Sequence, residues 1–378
     1  MNRSFIIDVL KLLAAQAIVL HHLSAYGPMT EALRALWPHA IETFFEHSRL
    51  AVQVFLVMGG FLAAPALRHW QSTHPNPASA LQLVLRRFVR LIPPYLVALL
   101  LISVIAALAR PLIAGDWLVE PPRWSAVLSH VLTVQGWFDL PSLSVGVWYV
   151  AMDLHLYVLL VLLLAATRRP SVASVAVLLL AAASMLHFNR LSALDDWPLY
   201  FFGAYGLGVL ASGWQGSRRD RWAFIAAVVL ALLALWLEPR TRLGVALLTA
   251  ILLAALATRR TPDHRVGRWV QALADASYGT FLTHYGWIVI ASALWALGSF
   301  HGAGWAAVFV IATWAASLWT GQVFHRRVEQ PLSSWCGGML RRFSERAPAH
   351  ATRATHTVPT TAPWPRTRHT PSTVPRSR

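Results

Sequence analysis

Hydrophobic and polar positions along this chain alternate on the scale of whole segments. Ten apolar runs are separated by short basic, glycine- or proline-containing interruptions, near residues 5–26, 50–67, 91–109, 146–166, 171–187, 198–213, 222–237, 242–257, 278–297 and 303–324. A helix rises about 1.5 Å per residue, so about 20 apolar residues cross a bilayer. The runs at 171–187, 198–213 and 222–237 are short for a span, but glycine, proline or arginine pairs separate each from its neighbours, so each is predicted as its own helix. Between the third and fourth runs, WSAVLSHVLTVQGWF keeps a helical apolar period yet is too polar to span, which predicts a re-entrant or interfacial amphipathic helix. From about Arg346 the chain is Pro, Thr, Arg and His with few large apolar residues, the pattern of a disordered tail. The expected division is a transmembrane domain over 1–340 and a basic tail over 341–378.

Composition agrees with the pattern. Of 378 residues, 56% are hydrophobic and only 13% charged, which describes a polytopic membrane protein and not a soluble domain of this length. The formal charge of +16 comes from arginine, Lys11 being the only lysine. Such a charge could suggest nucleic acid, but it is spread over the connections between spans. With a cytoplasmic N-terminus, the inside connections hold Arg68, Arg86, Arg87, Arg90, Arg168, Arg169, Arg218, Arg219, Arg221, Arg259, Arg260, Arg265 and Arg268, and the basic tail adds to them. The outside ones hold fewer arginines and most loop acids, among them Glu31, Glu42, Glu46, Asp116, Glu120, Asp139, Asp195 and Asp196. The bias predicts an even number of spans and two cytoplasmic termini. The first apolar run lacks a small-residue cleavage site and is expected to remain as a span. One cysteine, Cys336, excludes an internal disulfide framework and a cysteine-based zinc site. The predicted fold is therefore an all-α integral membrane protein of about ten transmembrane helices, its tail in contact with anionic lipid at most.

Candidate chemistry concentrates in the first run, where Asp8, Lys11, His21 and His22 lie in otherwise apolar sequence. Ionisable groups at membrane depth cost at least about 2.5 kcal/mol near the middle and tend to mark function. Asp8 and Lys11 are at i,i+3 and can pair; Lys11 and His22 are eleven residues apart, close to three turns, so both face one side about 16 Å apart along the axis. The plain alternative is a snorkelling lysine and an imidazole that bonds a neighbouring helix. A neutral imidazole is also the natural general base for a hydroxyl near pH 7. Further along, RRFVRLIPPY places Arg86, Arg87 and Arg90 on a connection entering the third span; these are ordinary anchors or forked phosphate ligands. In VWYVAMDLHLY, Asp153 and Tyr157 share a face, and pairing with an arginine or histidine of another helix is the plain role for the acid. Ser277, Tyr278 and His284 in ASYGTFLTHY read as interhelical hydrogen-bonding groups, and Glu329 in FHRRVEQPL as the partner of a loop arginine. The run FLVMGGFLAAPAL suits close helix packing. There is no Walker loop, dinucleotide fingerprint, HExxH or GxSxG.

In this order, the stretches resemble the acyltransferase-three family of bacterial and animal membrane proteins. The family's D-x-x-(Arg or Lys), ten residues, His pattern is similar to Asp8, Lys11 and His22. Its arginine–proline element is similar to Arg86, Arg87, Arg90 and Pro93, and its W-S-L-x-x-E-x-x-x-Y run to Trp148 through Tyr157. Its S-Y-G-x-Y-L-x-H run is similar to Ser277 through His284, and its final Glu-x-Pro to Glu329 and Pro331. The chain departs from the pattern at Gln53, where an acid is usual, at Asp153 in place of glutamate, and at Lys11 in place of the commoner arginine. The resemblance implies a multi-pass O-acyltransferase of a bacterial inner membrane. It would move an acyl group, often acetyl, from cytoplasmic acyl-coenzyme A to a hydroxyl of a glycan, lipid-linked sugar or similar acceptor, with no permanently bound cofactor, no metal and no nucleic-acid partner. By that resemblance His22 is the general base, Lys11 and Asp8 are catalytic with it, and Arg86, Arg87 and Arg90, with Lys11, meet the coenzyme's phosphates. Asp153, Tyr157, Ser277, Tyr278, His284 and Glu329 support the site. No serine or cysteine nucleophile stands out beside His22, which favours direct attack. A transporter or flippase of acyl groups or lipid-linked sugars is the rival reading, and a non-catalytic partner in polysaccharide assembly a third.

Overall fold

A computed structural model describes residues 4–73, 76–167, 169–259, 265–298 and 300–346. The chain divides into a compact unit of residues 1–338, which holds the apolar helices, and a second unit of 339–378. Of the tail predicted to be disordered over 341–378, residues 341–346 are helical and those from 347 onward lie outside the described residues, as do Arg168 and Arg260. Among the described residues there are helices and no strands.

All ten apolar runs are helices: α1 (Phe5–Ala25), α4 (Ala51–Thr73), α5 (Pro77–Ala109), α7 (Trp148–Thr167), α8 (Pro170–Leu186), α9 (Pro198–Ala211), α10 (Arg218–Leu237), α11 (Thr241–Leu256), α13 (Ser277–Leu297) and α14 (Ala303–Phe324). Eight helical stretches among the described residues are long and apolar enough to cross a membrane, and α9 and α11 are shorter apolar helices. The connections hold more helix than the hydrophobic pattern announced. The segment after α1 folds as α2 (Pro28–Arg34) and α3 (Pro38–Ser48), α12 (Arg265–Asp275) precedes α13, and α15 (Gln330–Arg346) comes after a π turn at His325–Glu329, while α6 (Trp124–Leu132) in the long connection after α5 is the helix predicted within WSAVLSHVLTVQGWF.

The arginine–proline element is not on a connection. It lies within α5, which starts fourteen residues before the apolar run because Asn76 and Ser79 form a reciprocal capping box and Pro77 is tolerated in the first turn. Pro93 and Pro94 stay inside the helix. Proline removes the donor to the carbonyl four residues back, and the Arg90 carbonyl so released lies 3.4 Å from Ser333 Oγ, while Tyr278 donates to the neighbouring Leu91 carbonyl at 2.9 Å.

The largest core is formed by α4, α7, α8, α9, α10 and α11. At its centre α4 and α9 touch backbone to backbone. A Cβ on Gly60 would overlap the Tyr205 carbonyl, and one on Gly208 the Val57 carbonyl, so both positions have to be glycine for the helices to pack this closely. A second core joins α1, α5, α7 and α13. Helices α4, α7, α9 and α11 all start near the C-terminal end of α1, at a common end of the bundle, and run toward the end where Phe5 bonds the Arg259 carbonyl.

Candidate active site

His22, in the last turn of α1, is 6% exposed and opens onto a chamber of about 800 Å³. Its walls come from Gln53 at the start of α4, Gly146 and Trp148 before and at the start of α7, Tyr200 and Phe201 on α9, Arg240 and Arg242 at the start of α11, and Phe281 on α13. The imidazole is held from behind. His22 Nδ1 lies 2.8 Å from His284 Nε2, and His284 Nδ1 lies 2.7 Å from the Phe281 carbonyl. A carbonyl only accepts, so His284 Nδ1 carries the proton. In the neutral pair His284 Nε2 is then an acceptor, and His22 Nδ1 must be the donor. The hydrogen-bond network thus assigns the proton of His22 to Nδ1 and leaves Nε2 with its lone pair. Gly146 guards the approach to that edge: its φ of +71° suits glycine, and a Cβ there would lie 3.0 Å from His22 Cε1 and 3.5 Å from Nε2.

The sequence alone marks His284 as an interhelical hydrogen-bonding group. It is that, and its partner is His22. His21 points elsewhere, its Nδ1–H donating to the Phe45 carbonyl of α3 at 2.7 Å, and Ser24 Oγ donates to the His21 carbonyl.

Lys11 and Asp8 do not meet His22. They line a second cavity of about 470 Å³ with Ser4, Phe61, Pro65, Ser212, Gln215 and Leu253. The shared face predicted for Lys11 and His22 agrees with this arrangement, because both cavities lie against α4, α9 and α11. The two cavities lie toward opposite ends of α1, with Lys11 and His22 about 16 Å apart along it at helical rise.

The three arginines of α5 separate. Arg86 and Arg90 are exposed. Arg87 is turned inward and grips Asp153 of α7, with Nη2 at 2.8 and 2.5 Å from the two carboxylate oxygens and Nε at 3.1 Å; the side chains are 21% and 7% exposed. Its guanidinium carbon lies 5.4 Å from the centre of the Tyr157 ring, so Asp153 and Tyr157 do share a face, and that face is the arginine's. Tyr278 bonds the backbone of α5, and Ser277 opens α13 half-buried. Glu329 pairs with His325 one turn earlier at 2.9 Å, not with a loop arginine; Arg326 and Arg327 beside it point outward.

Residues of the chamber that carry no signal in the sequence are Gly146, Tyr200, Arg240, Arg242 and Phe281. Along the chain Arg240 and Arg242 are only two arginines of a short connection between apolar runs. At the rim, Asp195 stands beside Asp196, whose carboxyl is raised above the usual range by partial burial first and then by the charges of Asp195 and Asp139.

A family model described as an acyltransferase domain, acyltransferase family 3, matches residues 5–321. Among characterised proteins, the regulator of hypoxia-inducible factor 1 of Caenorhabditis elegans is 25% identical over 172 residues, covering 40% of this chain and 32% of that protein, so the likeness spans about a third of the relative. No solved structure matches.

Proposed function

We propose, for a chain that belongs to acyltransferase family 3, that this multi-pass membrane acyltransferase moves an acyl group, in the first instance acetyl, from acyl-coenzyme A to a hydroxyl of a glycan or lipid-linked sugar. The bacterial inner membrane is the setting this reading requires, with the arginine-rich helix ends in the cytoplasm. The observation that carries it is the His22–His284 pair, which presents an unprotonated Nε2 to a chamber large enough for a sugar. The acceptor hydroxyl gives its proton to His22 Nε2 as its oxygen bonds to the thioester carbonyl carbon. The carbon–sulfur bond then breaks, and the coenzyme A thiolate takes a proton from the imidazolium, which restores the starting tautomer.

The donor's phosphates need cations at the arginine-rich end. Arg86 and Arg90, both exposed, and Lys11 in the cavity at that end supply them; Arg87 leaves the set because Asp153 already holds it. Lys11 and His22 lie about 16 Å apart along α1, the distance that the long, thin pantetheine arm would have to cover between the two cavities.

The test is coenzyme A release from acetyl-coenzyme A by the purified protein, with lipid-linked and soluble glycans as acceptors, for wild type and His22→Ala. Acceptor-dependent release that the variant loses supports the reading. Unchanged turnover in folded His22→Ala removes His22 from the chemistry, and movement of a substrate across vesicles without coenzyme A release favours a transporter.

A further inference from the structure

The chamber above His22 has a charge arrangement that acyl transfer alone does not require. Arg240 and Arg242 lie in its wall, each half-buried, and neither has a carboxylate within ion-pair distance among the described residues. Their partners are neutral. Arg240 donates to Asn189 Oδ1 at 2.8 Å and to the Met185 carbonyl at 2.6 Å, while its Nε–H is buried with no acceptor. Arg242 donates to the Tyr200 hydroxyl and, at 2.7 Å, to the Asn189 carbonyl, and its guanidinium carbon lies 4.9 Å from the centre of the Tyr200 ring.

Carboxylates also line the chamber, but at its edge. Glu46, Asp195 and Glu238 are all exposed, and Glu238 is paired with Arg190 at 2.9 Å. Exposed charges are screened by water and salt, whereas half-buried ones are screened much less. Of the charges lining the chamber, Arg240 and Arg242 are thus the least screened. Two guanidinium groups drawn partly out of water with no ion-paired carboxylate are costly to keep unless a ligand brings the anion; Glu238 acts on Arg240, but it is exposed and already paired with Arg190.

We propose that the chamber selects acceptors bearing an anionic group, a carboxylate or a phosphate, and that Arg240 and Arg242 bind that group while a hydroxyl of the same molecule reaches His22. This rests on the acceptor-side reading of the chamber given above. The neutral Gln53 in the same wall belongs to the arrangement, since a carboxylate there would oppose the ligand's charge.

Binding to the purified full-length protein in neutral detergent tests it, with glucose 1-phosphate, glucuronate and glucose as probes and calorimetry as the readout. At least one anionic sugar should bind about tenfold or more tightly than glucose, the scale of one hydrogen bond to a charged group. If only one of the two does so, it names phosphate or carboxylate as the group recognised. The preference should shrink about tenfold in Arg242→Gln and Arg240→Gln. It should also shrink in Gln53→Glu, which adds a charge to the wall without touching the arginines' bonds and so covers the case in which an arginine variant misfolds. Glucose binding as tightly as both anions, or a preference unchanged in folded Gln53→Glu and Arg242→Gln, overturns the proposal. The two readings fail separately: anion preference without coenzyme A release sinks acyl transfer alone, and acyl transfer to neutral sugars without anion preference sinks this inference alone.

Discussion

Replacing His284 by leucine removes the acceptor of the His22 Nδ1–H, along with a donor to the Phe281 carbonyl, and the structure gives the size of the effect on His22. His22 and His284 are 6% and 1% exposed and share one 2.8 Å hydrogen bond. Without it, the Nδ1–H of His22 is left buried and unpaired, which costs about 1–3 kcal/mol, unless the proton moves to Nε2. In that tautomer the base has no lone pair toward the chamber. Either way the productive state becomes less populated, and about 1–3 kcal/mol corresponds to a loss of roughly 5- to 150-fold in turnover. His22→Ala should cost more, about 10²- to 10⁴-fold, because the base itself is gone. The decisive comparison is the double variant. If His284 acts only through His22, then His22→Ala with His284→Leu turns over no more slowly than His22→Ala alone. The assay is steady-state coenzyme A release at saturating acceptor, on protein that elutes as a single symmetric peak. Turnover of His284→Leu within twofold of wild type would refute the tautomer argument, and losses that multiply in the double variant would give His284 a separate role.

Gly146→Ala places a Cβ against His22 in a left-handed backbone conformation, so kcat/KM for the acceptor should fall with little change in donor KM; equal kinetics would mean that acceptors reach His22 from another side. Asp153→Asn and Arg87→Leu should each destabilise the protein by about 3–5 kcal/mol by stranding one member of a buried pair, with the Asp153→Leu, Arg87→Leu double variant recovering part of the loss; thermal unfolding monitored by gel filtration reads this, and a double variant worse than either single one argues against it. Arg90→Glu should raise the apparent KM for acetyl-coenzyme A and leave kcat nearly unchanged, whereas a drop in kcat alone would remove Arg90 from the headgroup site. Gly208→Ala should lower thermal stability by about 1–3 kcal/mol or more without selective loss of donor or acceptor affinity, because the Val57 backbone it meets has no room to move.

The sequence by itself determined where helices form. Apolar runs long enough for a bilayer have to be helical there, because no other open structure satisfies their backbone groups, and each of the ten runs is a helix. It also singled out the chemically expensive residues, since an aspartate or histidine within such a run is costly whatever it touches: His22, Asp153 and His284 all stand out on that ground. Partnership was another matter. Whether Arg87 faces phosphate or carboxylate depends on the rotation of α5 against α7, and the capping box at Asn76 and Ser79 that extends α5 through the arginine–proline element is local chemistry the apolar period does not record. His284 lies 262 residues from His22, and no spacing rule spans that separation. The chamber is likewise assembled from single residues at the ends of several helices, most of them, like Gly146 and Arg242, ordinary within their own segments. Only the packing of α4 on α9, made possible by Gly60 and Gly208, and the bracing of α1 against α13 decide that these residues face one space, because a side chain's surroundings are set by the helices beside it and not by its neighbours along the chain.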